Sequence, residues 1–586
     1  MPIKTTQAPQ AKRWETVPVD EGAARTLATD LNLPIAVARI LVSRGYGEPK
    51  AADRFLAPRL SDLGDPLALP NLRAAVDRIW TAIDGGERMA IFGDYDVDGI
   101  SSTSLLTRVL SRLGGQTQSF LPDRESEGYG FTEAALARCL AESNPTLIIT
   151  VDCGTNSVEA VEVARRRKVD VIVTDHHAVS EEPAAAVALV NPQLGDEAGL
   201  QTLAGVGVAF KLCHGLIKVA RDAGRACAGD VDLKEYLDLV ALGTMADIVP
   251  LVGENRTFAR HGLARMNQKT NAGLSALIDV AGVKGPVEAY HVGFVLGPRL
   301  NAVGRLGSAL ASLELLTSDD PQRAGELSVE LDRANRERRD VERKIVEEAI
   351  AEIDEGFDPE QHFGIVVARR GWHMGVVGIV ASRLVSRYRR PAVVIAINEE
   401  GEGRGSCRSV KPFNMVDGLQ QCTGHLLKHG GHAMAAGLSL HESELEGFRD
   451  AFNRACRAEL ADQDLRAVVH VDGWLTPPQA DWDLCEALHC LMPYGEANPQ
   501  PVFGIRDLRI VGEPRTVGTN HLKMTLAAGG SQWDSIAFGM ADREIPDGPV
   551  DVVFFLEKNS FMGRDSLQMN IRDFRPAAPA PPALKS

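Results

Sequence analysis

The chain has 586 residues, 44% hydrophobic and 24% charged, with a formal net charge of −16; at about 150 residues per domain that predicts about three to five domains, and the balance excludes a disordered or fibrous chain. No apolar run approaches the ~18 residues of a membrane span, the opening Met1-Pro-Ile-Lys-Thr-Thr-Gln lacks the apolar stretch of a secretion signal, and nine scattered cysteines without a CxxC read as reduced thiols, so a cytoplasmic location with no membrane partner is expected. The acidic balance, taken alone, counts against a nucleic-acid partner, which usually needs a basic footprint.

In chain order, the first ~13 residues are polar and expected to be loose. Apolar positions spaced three and four apart predict short helices over 23–31 and 35–42. From about 70 to 255, β-branched runs (Met89-Ala-Ile-Phe92, Leu147-Ile-Ile-Thr-Val-Asp152, Val169-Asp-Val-Ile-Val-Thr-Asp175) alternate with helical stretches at 101–113, 132–142 and 157–167. Continuous apolar strands between amphipathic helices imply a parallel sheet covered on both faces. A long charged helix follows, 320 to about 355. Its 333–344 portion holds six basic and three acidic residues, a solvated connecting helix or a DNA-facing one. A second α/β segment rich in glycine and histidine occupies about 362–462, and short strands with little helix over 467–575 predict a small barrel or sandwich. The expected organisation is therefore a multidomain α/β chain: a helical segment 1–68, a parallel-sheet domain 69–318, a connecting helix 319–358, a smaller α/β domain 359–464, a β-rich domain 465–575 and a disordered Pro/Ala tail 576–586.

The strongest local signal is Phe92-Gly-Asp94-Tyr-Asp96-Val-Asp98-Gly-Ile100, three aspartates at alternate positions directly after an apolar strand. Like charges this close would not stay ionised without a counter-charge, which a divalent metal supplies. An EF-hand loop also begins D-x-D-x-D-G, but its twelfth position needs Glu where this chain has Leu105, and a helix must precede it. An acidic turn capping the helix of Ser101 would use one aspartate, not three. Two later strands end in similar chemistry, Asp152-Cys-Gly and Asp175-His176-His177, and a fourth acid, Asp247, lies in Ala241-Leu-Gly-Thr-Met-Ala-Asp-Ile-Val-Pro-Leu251. Strand ends of an open parallel sheet line one crevice, so these side chains can converge. Mixed oxygen and imidazole donors suit Mn²⁺ or a similar ion better than Ca²⁺, and the surplus of carboxylates suits two ions sharing a ligand.

The blocks GDYDVDG, VDCG, TDHH and ALGTMADIVPL, in this order and spacing, resemble motifs I to IV of the DHH phosphoesterase superfamily. The 359–464 segment is similar to its DHH-associated substrate-binding domain, through Gly371-Trp-His-Met-Gly-Val-Val-Gly378, Gly403-Arg-Gly-Ser-Cys-Arg-Ser409 and Gly430-Gly-His-Ala-Met-Ala-Ala-Gly437. Gly297-Pro-Arg-Leu-Asn-Ala-Val-Gly-Arg305 and the C-terminal β segment, which resembles an OB-fold barrel, point to the bacterial single-strand-specific 5′→3′ DNA exonucleases. The resemblance implies that Asp96 and Asp98 each hold a metal ion, that Asp152 bridges two ions, and that His176 and Asp247 complete the set. Asp94 is a further candidate ligand. Asp175 would orient its neighbours and His177 would contact the scissile phosphate. The two ions would be Mn²⁺ or Mg²⁺. One departure stands out: where related pyrophosphatases carry a metal-binding histidine, this chain has Phe92, which leaves Asp94 or water as the substitute.

The glycine-rich stretches, with His373, Arg404, Ser406, Arg408, Gly430, Gly431 and His432, are candidates for binding phosphates through backbone amides and guanidinium groups. Arg299, Asn301 and Arg305 are candidates for gripping the strand near its 5′ end, a structural arginine network being the alternative. In the β segment, Phe503, His521, Lys523, Trp533, Phe538 and Arg572 are plausible contributors to a base-stacking surface. The resemblance implies hydrolysis of single-stranded DNA to 5′-mononucleotides in recombination and in mismatch and base excision repair, by a monomer working with single-strand-binding protein and recombination mediators. Two rival readings are a phosphodiesterase of very short or cyclic oligonucleotides, whose known forms are shorter, and an inactive scaffold, which predicts lost acids where this chain keeps all of them. The acidic balance would then coat the outside, leaving a narrow basic path for a single strand.

Overall fold

The computed structural model describes residues 12–123, 126–197, 199–561 and 563–577. The expectations for a loose start at residues 1–11 and for a disordered tail beyond 577 lie outside the described residues. The chain gathers into two compact units: residues 48–336 with 490–500, and residues up to 47 with 337–489 and from 501 onward.

The first unit is built on a five-stranded, all-parallel sheet of β1 (Arg88–Gly93), β2 (Gln116–Phe120), β3 (Leu147–Val151), β4 (Asp170–Thr174) and β5 (Ala188–Val190). The order across the sheet is β2-β1-β3-β4-β5. Successive side chains alternate faces. Met89, Ile91, Ile149 and Ile172 join one buried cluster, and Ala90, Phe92, Ile148 and Val171 the other. Both faces are therefore covered, which explains the uninterrupted apolar strands. The chain leaves β1 for β2 on one side, while β3 lies on the other. The strand order reverses there, and the carboxyl ends of β1 and β3 flank the crevice that such a reversal opens.

Three further helices surround that crevice: α1 (Val97–Arg112), α2 (Gly205–Asp222) and α3 (Leu237–Ala246), followed by α4 (Gly297–Leu306). The first begins at Val97, earlier than the expected 101, because Asp96 caps it by accepting from the amides of Asp98 and Gly99. Residues 490–500 join this unit through the fully buried Arg256, whose guanidinium donates to the carbonyls of Phe55, Leu491 and Met492. The long helix α5 (Pro321–Asp354) matches the predicted charged helix and passes from the first unit to the second at residue 336.

In the second unit, β6 (Ile365–Arg370), α6 (Met374–Tyr388), β7 (Ala392–Ile397), β8 (Glu402–Arg408), β9 (Lys428–His432) and β10 (Ala435–His441) form a mixed sheet ordered β9-β10-β8-β7-β6. The C-terminal strands are β11 (Phe503–Val517), β12 (His521–Ala528), β13 (Ser531–Phe538), β14 (Val550–Phe561) and β15 (Arg564–Pro576). Their pairings run β11-β12-β13-β15-β14, and β14 pairs back onto β11, so the sheet closes on itself. Closure selects the barrel over the sandwich, with a parallel β13–β15 pair that the alternating sequence pattern does not encode. No described helix is long and apolar enough to cross a membrane.

Candidate metal centre and phosphate-binding surfaces

Asp94, Asp96 and Asp98 leave the end of β1, Asp152 the end of β3, and Asp175, His176 and His177 the end of β4; Asp247 follows α3. These termini converge. His176 Nε2 lies 3.1 Å from Asp152 Oδ1, 3.7 Å from Asp247 Oδ2 and 3.9 Å from Asp98 Oδ2. Three overlapping sets place their donor atoms within 4.8 Å of one another: Asp94 with Asp96 and Asp152, Asp98 with His176 and Asp247, and Asp152 with His176 and His177.

The electrostatics are those of buried, mutually repelling carboxylates. Burial pushes the Asp98 and Asp152 carboxyls well above their usual range, and the neighbouring carboxylates push them further: Asp247 and Asp96 on Asp98, Asp98, Asp96 and Asp94 on Asp152. Asp247 is raised to about 7 by burial and by Asp96. His176 is lowered to about 4 by burial and by the neighbouring His177, which leaves its imidazole neutral. Asp152 Oδ1 and His176 Nε2 are buried with no hydrogen-bond partner among the described residues. Orphaned donor atoms facing one another, a neutral imidazole and self-repelling carboxylates suit divalent ions with mixed O and N ligation.

The second histidine is held differently. Asp175 accepts from the amides of Thr155, His176 and His177 and takes the ring of His177 at 2.7 Å through Nδ1. Burial opposes both charges of this pair, yet the hydrogen bond and mutual attraction prevail. Asp175 falls well below the usual carboxylate range and His177 rises to about 9. A protonated imidazole beside the carboxylate cluster is suited to an anionic oxygen. Its Nε2 lies 3.2 Å from the hydroxyl of Tyr129, whose ring meets that of Tyr95 edge-on at 6.1 Å.

Several features of this site carry no ligand atom and escape the motif reading. The amides of Gly205 and Val206, at the start of α2, donate to Asp98 at 2.6 and 2.9 Å, a helix N-terminus turned on an anion. A Cβ on Gly205 would sit 2.7 Å from Asp152 Oδ1, and one on Gly243 would sit 2.6 Å from Asp98 Oδ1. Only glycine lets these helices approach the carboxylates so closely. The repeated Gly205-Val-Gly207 at a helix start and Gly128-Tyr-Gly130 were the available signals. Asp152 itself adopts φ +60°, a left-handed conformation that aspartate tolerates and that costs backbone strain. Phe92 points to the opposite face of the sheet, packed on Phe120 and Phe131 at ring separations of 5.1 and 4.9 Å. It fills core.

The remaining candidates divide between the units. In the first, α4 lies against the crevice: a Cβ on Gly297 would meet Ala246 at 3.7 Å, and one on Gly304 would meet the carbonyl of Tyr95 at 3.3 Å. Arg299, on α4, pairs with Asp332 at 3.0 Å and donates to the carbonyl of Val295. Asn301 and Arg305 share that helix.

In the second unit, Arg404, Ser406 and Arg408 alternate on one face of β8, while Gly403, Gly405 and Cys407 are buried on the other. Ser406 is in register with Gly437 and through it with Gly430, and Arg408 with Ala435 and His432. The start of α6 closes on this row: a Cβ on Gly378 would meet Ser406 Oγ at 3.0 Å and the Arg408 guanidinium at 3.2 Å. His373 caps α6 by accepting from Gly375 N. Of the barrel candidates, Phe503 and Trp533 are buried core, with Trp533 Nε1 bonded to the Ala480 carbonyl. Phe538 is exposed, with His521 edge-on at 5.0 Å. Lys523 lies 3.7 Å from Asp534.

Comparison with known proteins adds three family-model matches: the DHH family N-terminal domain over residues 88–244, the DHHA1 domain over 362–458 and the RecJ OB domain over 471–573. The chain is 38% identical to the single-stranded-DNA-specific exonuclease RecJ of Bacillus subtilis, covering 96% of this chain and 70% of that protein. It is 37% identical to the protein of that name from Dickeya dadantii, covering 94% and 98%. A crystal structure of RecJ from Thermus thermophilus in complex with Mn²⁺ superposes with a TM-score of 0.82 at 30% identity, over 97% of this chain and 80% of that one. The Mg²⁺ complex of the same protein gives 0.77.

Proposed function

The chain belongs to the family of RecJ single-stranded-DNA-specific exonucleases, and from that membership we propose how its own residues perform the reaction. It is a metal-dependent hydrolase of phosphodiester bonds in single-stranded DNA, and its cofactors are divalent ions, Mn²⁺ or Mg²⁺. The observation that carries the assignment is the convergence of Asp94, Asp96, Asp98, Asp152, His176 and Asp247 on one crevice at donor-atom distance.

Asp94, Asp96, Asp98, Asp152, His176 and Asp247 would hold two ions, with Asp152 placed to be shared between them. Ions bound there would supply a coordinated water of lowered pKa and would offset charge on the reacting phosphate. Asp98 is oriented by the two amides of α2, and Asp152 by the left-handed turn at the end of β3. His177, fixed through Nδ1 by Asp175, presents its protonated Nε2 to a non-bridging phosphate oxygen. No serine nucleophile is needed: Ser101 and Ser102 are buried inside α1.

The row formed by Ser406, Arg408, Gly437 and Gly430, with the start of α6, suits a phosphate of the same strand, and Arg404 and His432 flank it. Arg299, Asn301 and Arg305 belong to a helix packed beside the metal crevice, though Arg299 is already paired with Asp332. The family likeness further supports cleavage from the 5′ end to 5′-mononucleotides in recombination and repair, by a cytoplasmic monomer assisted by single-strand-binding protein and recombination mediators.

One experiment tests this reading. The protein is incubated with Mn²⁺ and a single strand labelled at either end, beside the corresponding duplex and a dinucleotide. Mononucleotides released from the 5′ label, with the duplex spared, are expected; degradation from the 3′ end or preference for the dinucleotide overturns it.

A further inference from the structure

Tyr129 reaches His177 from a segment with little hold of its own. It lies between Gly128 and Gly130, whose φ angles of +86° and +73° fall in the left-handed region that glycine enters without strain. Its side chain is 56% exposed, and among the described residues no hydrogen bond reaches the backbone of Gly128 or Tyr129. A tyrosine flanked by two such glycines can swing unless something else fixes the segment.

The fixing residue is Glu127. Its carboxylate takes the guanidinium of Arg138 at both oxygens, Nε on Oε1 at 2.6 Å and Nη2 on Oε2 at 2.8 Å, and Oε2 also accepts from the Asp123 amide at 2.7 Å. Its carbonyl accepts from the Thr132 hydroxyl at 3.1 Å, which closes residues 127–132 into a loop with Tyr129 inside it. Thr132 caps the helix Glu133–Ser143, and Arg138 lies within that helix. Nη2 of Arg138 also donates to the Leu121 carbonyl at 2.8 Å, and its guanidinium lies 4.1 Å over the ring of Phe120. Phe120 ends β2 and stacks on Phe92 of β1, the strand that delivers Asp94, Asp96 and Asp98. The clamp is thus fastened to the sheet that carries the acids.

An arginine that served its own helix alone would be satisfied by Glu142, one turn along, which Nη1 reaches at 3.3 Å. Arg138 instead turns its paired edge to an acid outside the helix, two residues before Tyr129. The Glu127 side chain is 8% exposed, and the Arg138 hydrogen bond holds its carboxyl below the usual range. The pair therefore stays charged and partly sheltered from water, where a bidentate arginine–carboxylate contact is strong.

We propose that Arg138 and Glu127 are positioning residues of the hydrolytic centre, a clamp that fixes the Tyr129 hydroxyl at His177. Both act through Tyr129 rather than on the substrate. A protonated His177 donates through Nε2 to the Tyr129 oxygen, which orients the imidazole and leaves the tyrosine O–H as a second donor toward a phosphate oxygen. With the clamp open, the hydroxyl drifts and the imidazole keeps only its bond to Asp175. This role rests on the reading of His177 as a phosphate-facing group and adds what holds it in register.

The test uses the full chain with Mn²⁺ and an end-labelled single strand. Arg138→Met, which keeps an apolar stem over Phe120, is expected to lower kcat about 10-fold, with KM within about twofold of the parent. The rise in melting temperature on adding Mn²⁺ should match that of the parent, since no candidate ligand moves. In a Tyr129→Ala background the same substitution should cost no more than about twofold, because nothing is left to position. Glu127→Gln keeps the shape and loses the charge; it should lower kcat about 3-fold, with the same dependence on Tyr129. Fluorine NMR of fluorotyrosine-labelled protein reads the position directly: the resonance absent from Tyr129→Phe should shift in Arg138→Met. An unchanged kcat in both variants overturns the clamp, as does a full further loss in the Tyr129→Ala background. A weakened Mn²⁺ response or an unmoved Tyr129 resonance overturns it too. If the parent degrades no single strand, the enzymatic reading fails, while the Tyr129 resonance still decides whether Arg138 holds it.

Discussion

His176 Nε2 and Asp152 Oδ1 face each other at 3.1 Å, both buried, yet neither has a hydrogen-bond partner among the described residues. Asp152 reaches that position from a left-handed turn after β3, and His176 from the end of β4 beside an ionised Asp175. Two ligand atoms held together in this way suit a shared divalent cation, from which the neighbouring carboxylates would also gain.

Neutralising the bridging acid should therefore separate stability from activity. Asp152→Asn is expected to lower hydrolysis about 10³-fold or more. Without metal it should raise the melting temperature by about 2–4 °C, since it relieves a buried like-charge repulsion. Mn²⁺ should raise the melting temperature of the parent protein, by an amount equivalent to about 2.7 kcal/mol at 100 times its dissociation constant, and do so far less for the variant. Calorimetry with and without EDTA, beside an end-labelled assay, checks both halves; an Asn variant that keeps full activity refutes the bridging role.

Gly243 makes a prediction of opposite sign to helix propensity. Glycine to alanine inside a helix normally stabilises by about 1 kcal/mol. Here the new methyl would fall 2.6 Å from Asp98 Oδ1, so Gly243→Ala is expected to destabilise by about 1–3 kcal/mol and to reduce turnover at least about 10-fold by displacing Asp98. Urea unfolding and single-turnover hydrolysis measure the two effects.

Tyr129 gives a subtler test. Its hydroxyl reaches His177 Nε2, so Tyr129→Phe removes one hydrogen bond and keeps the ring. A fall in kcat of about 3- to 10-fold is expected, with strand affinity unchanged. His177→Ala, which also strips Asp175 of its cation, should cost much more. An unchanged kcat in Tyr129→Phe would show that the ring, not the hydroxyl, matters.

Away from the metals, Asp238 in α3 is buried and its carboxyl is raised to about 6 by desolvation. A raised folded-state pKa means that the native state binds the proton more tightly than the unfolded chain. Its contribution is therefore fully present below about pH 4, where both states are protonated, and is lost as pH climbs toward 6. Asp238→Asn removes this dependence while keeping an acceptor for the Leu239 amide. It should be more stable than the parent at pH 7 by about 2–3 kcal/mol and about equal at pH 4; denaturant titrations at the two values decide.

The elements that the sequence announced are those whose pattern is local. β1, β3 and β4 read as apolar runs because both of their faces are buried, and α5 as a charged run with helical spacing. β2, with the sequence Gln116-Thr-Gln-Ser-Phe120, has an edge position and polar side chains, so nothing in its composition marks it as a strand. Its pairing beside β1 is nevertheless what creates the strand reversal where the metal crevice opens. The barrel is similar: each strand is legible, but the β13–β15 pairing is parallel and joins strands more than thirty residues apart, a choice no local pattern records.

What the sequence determined by itself was the chemistry. Aspartates and histidines at the ends of apolar strands demand a cation because clustered carboxylates repel wherever the chain places them. Tertiary structure alone decided the geometry: that the amides of Gly205 and Val206 orient Asp98, that Tyr129 reaches His177, that Phe92 turns into the core, and that Arg299 is paired with Asp332. Ligand identity follows from side-chain types and strand periodicity, both local properties. Close approaches between residues tens or hundreds of positions apart follow from packing, where glycines and helix termini contribute by what they lack and so leave little trace in composition.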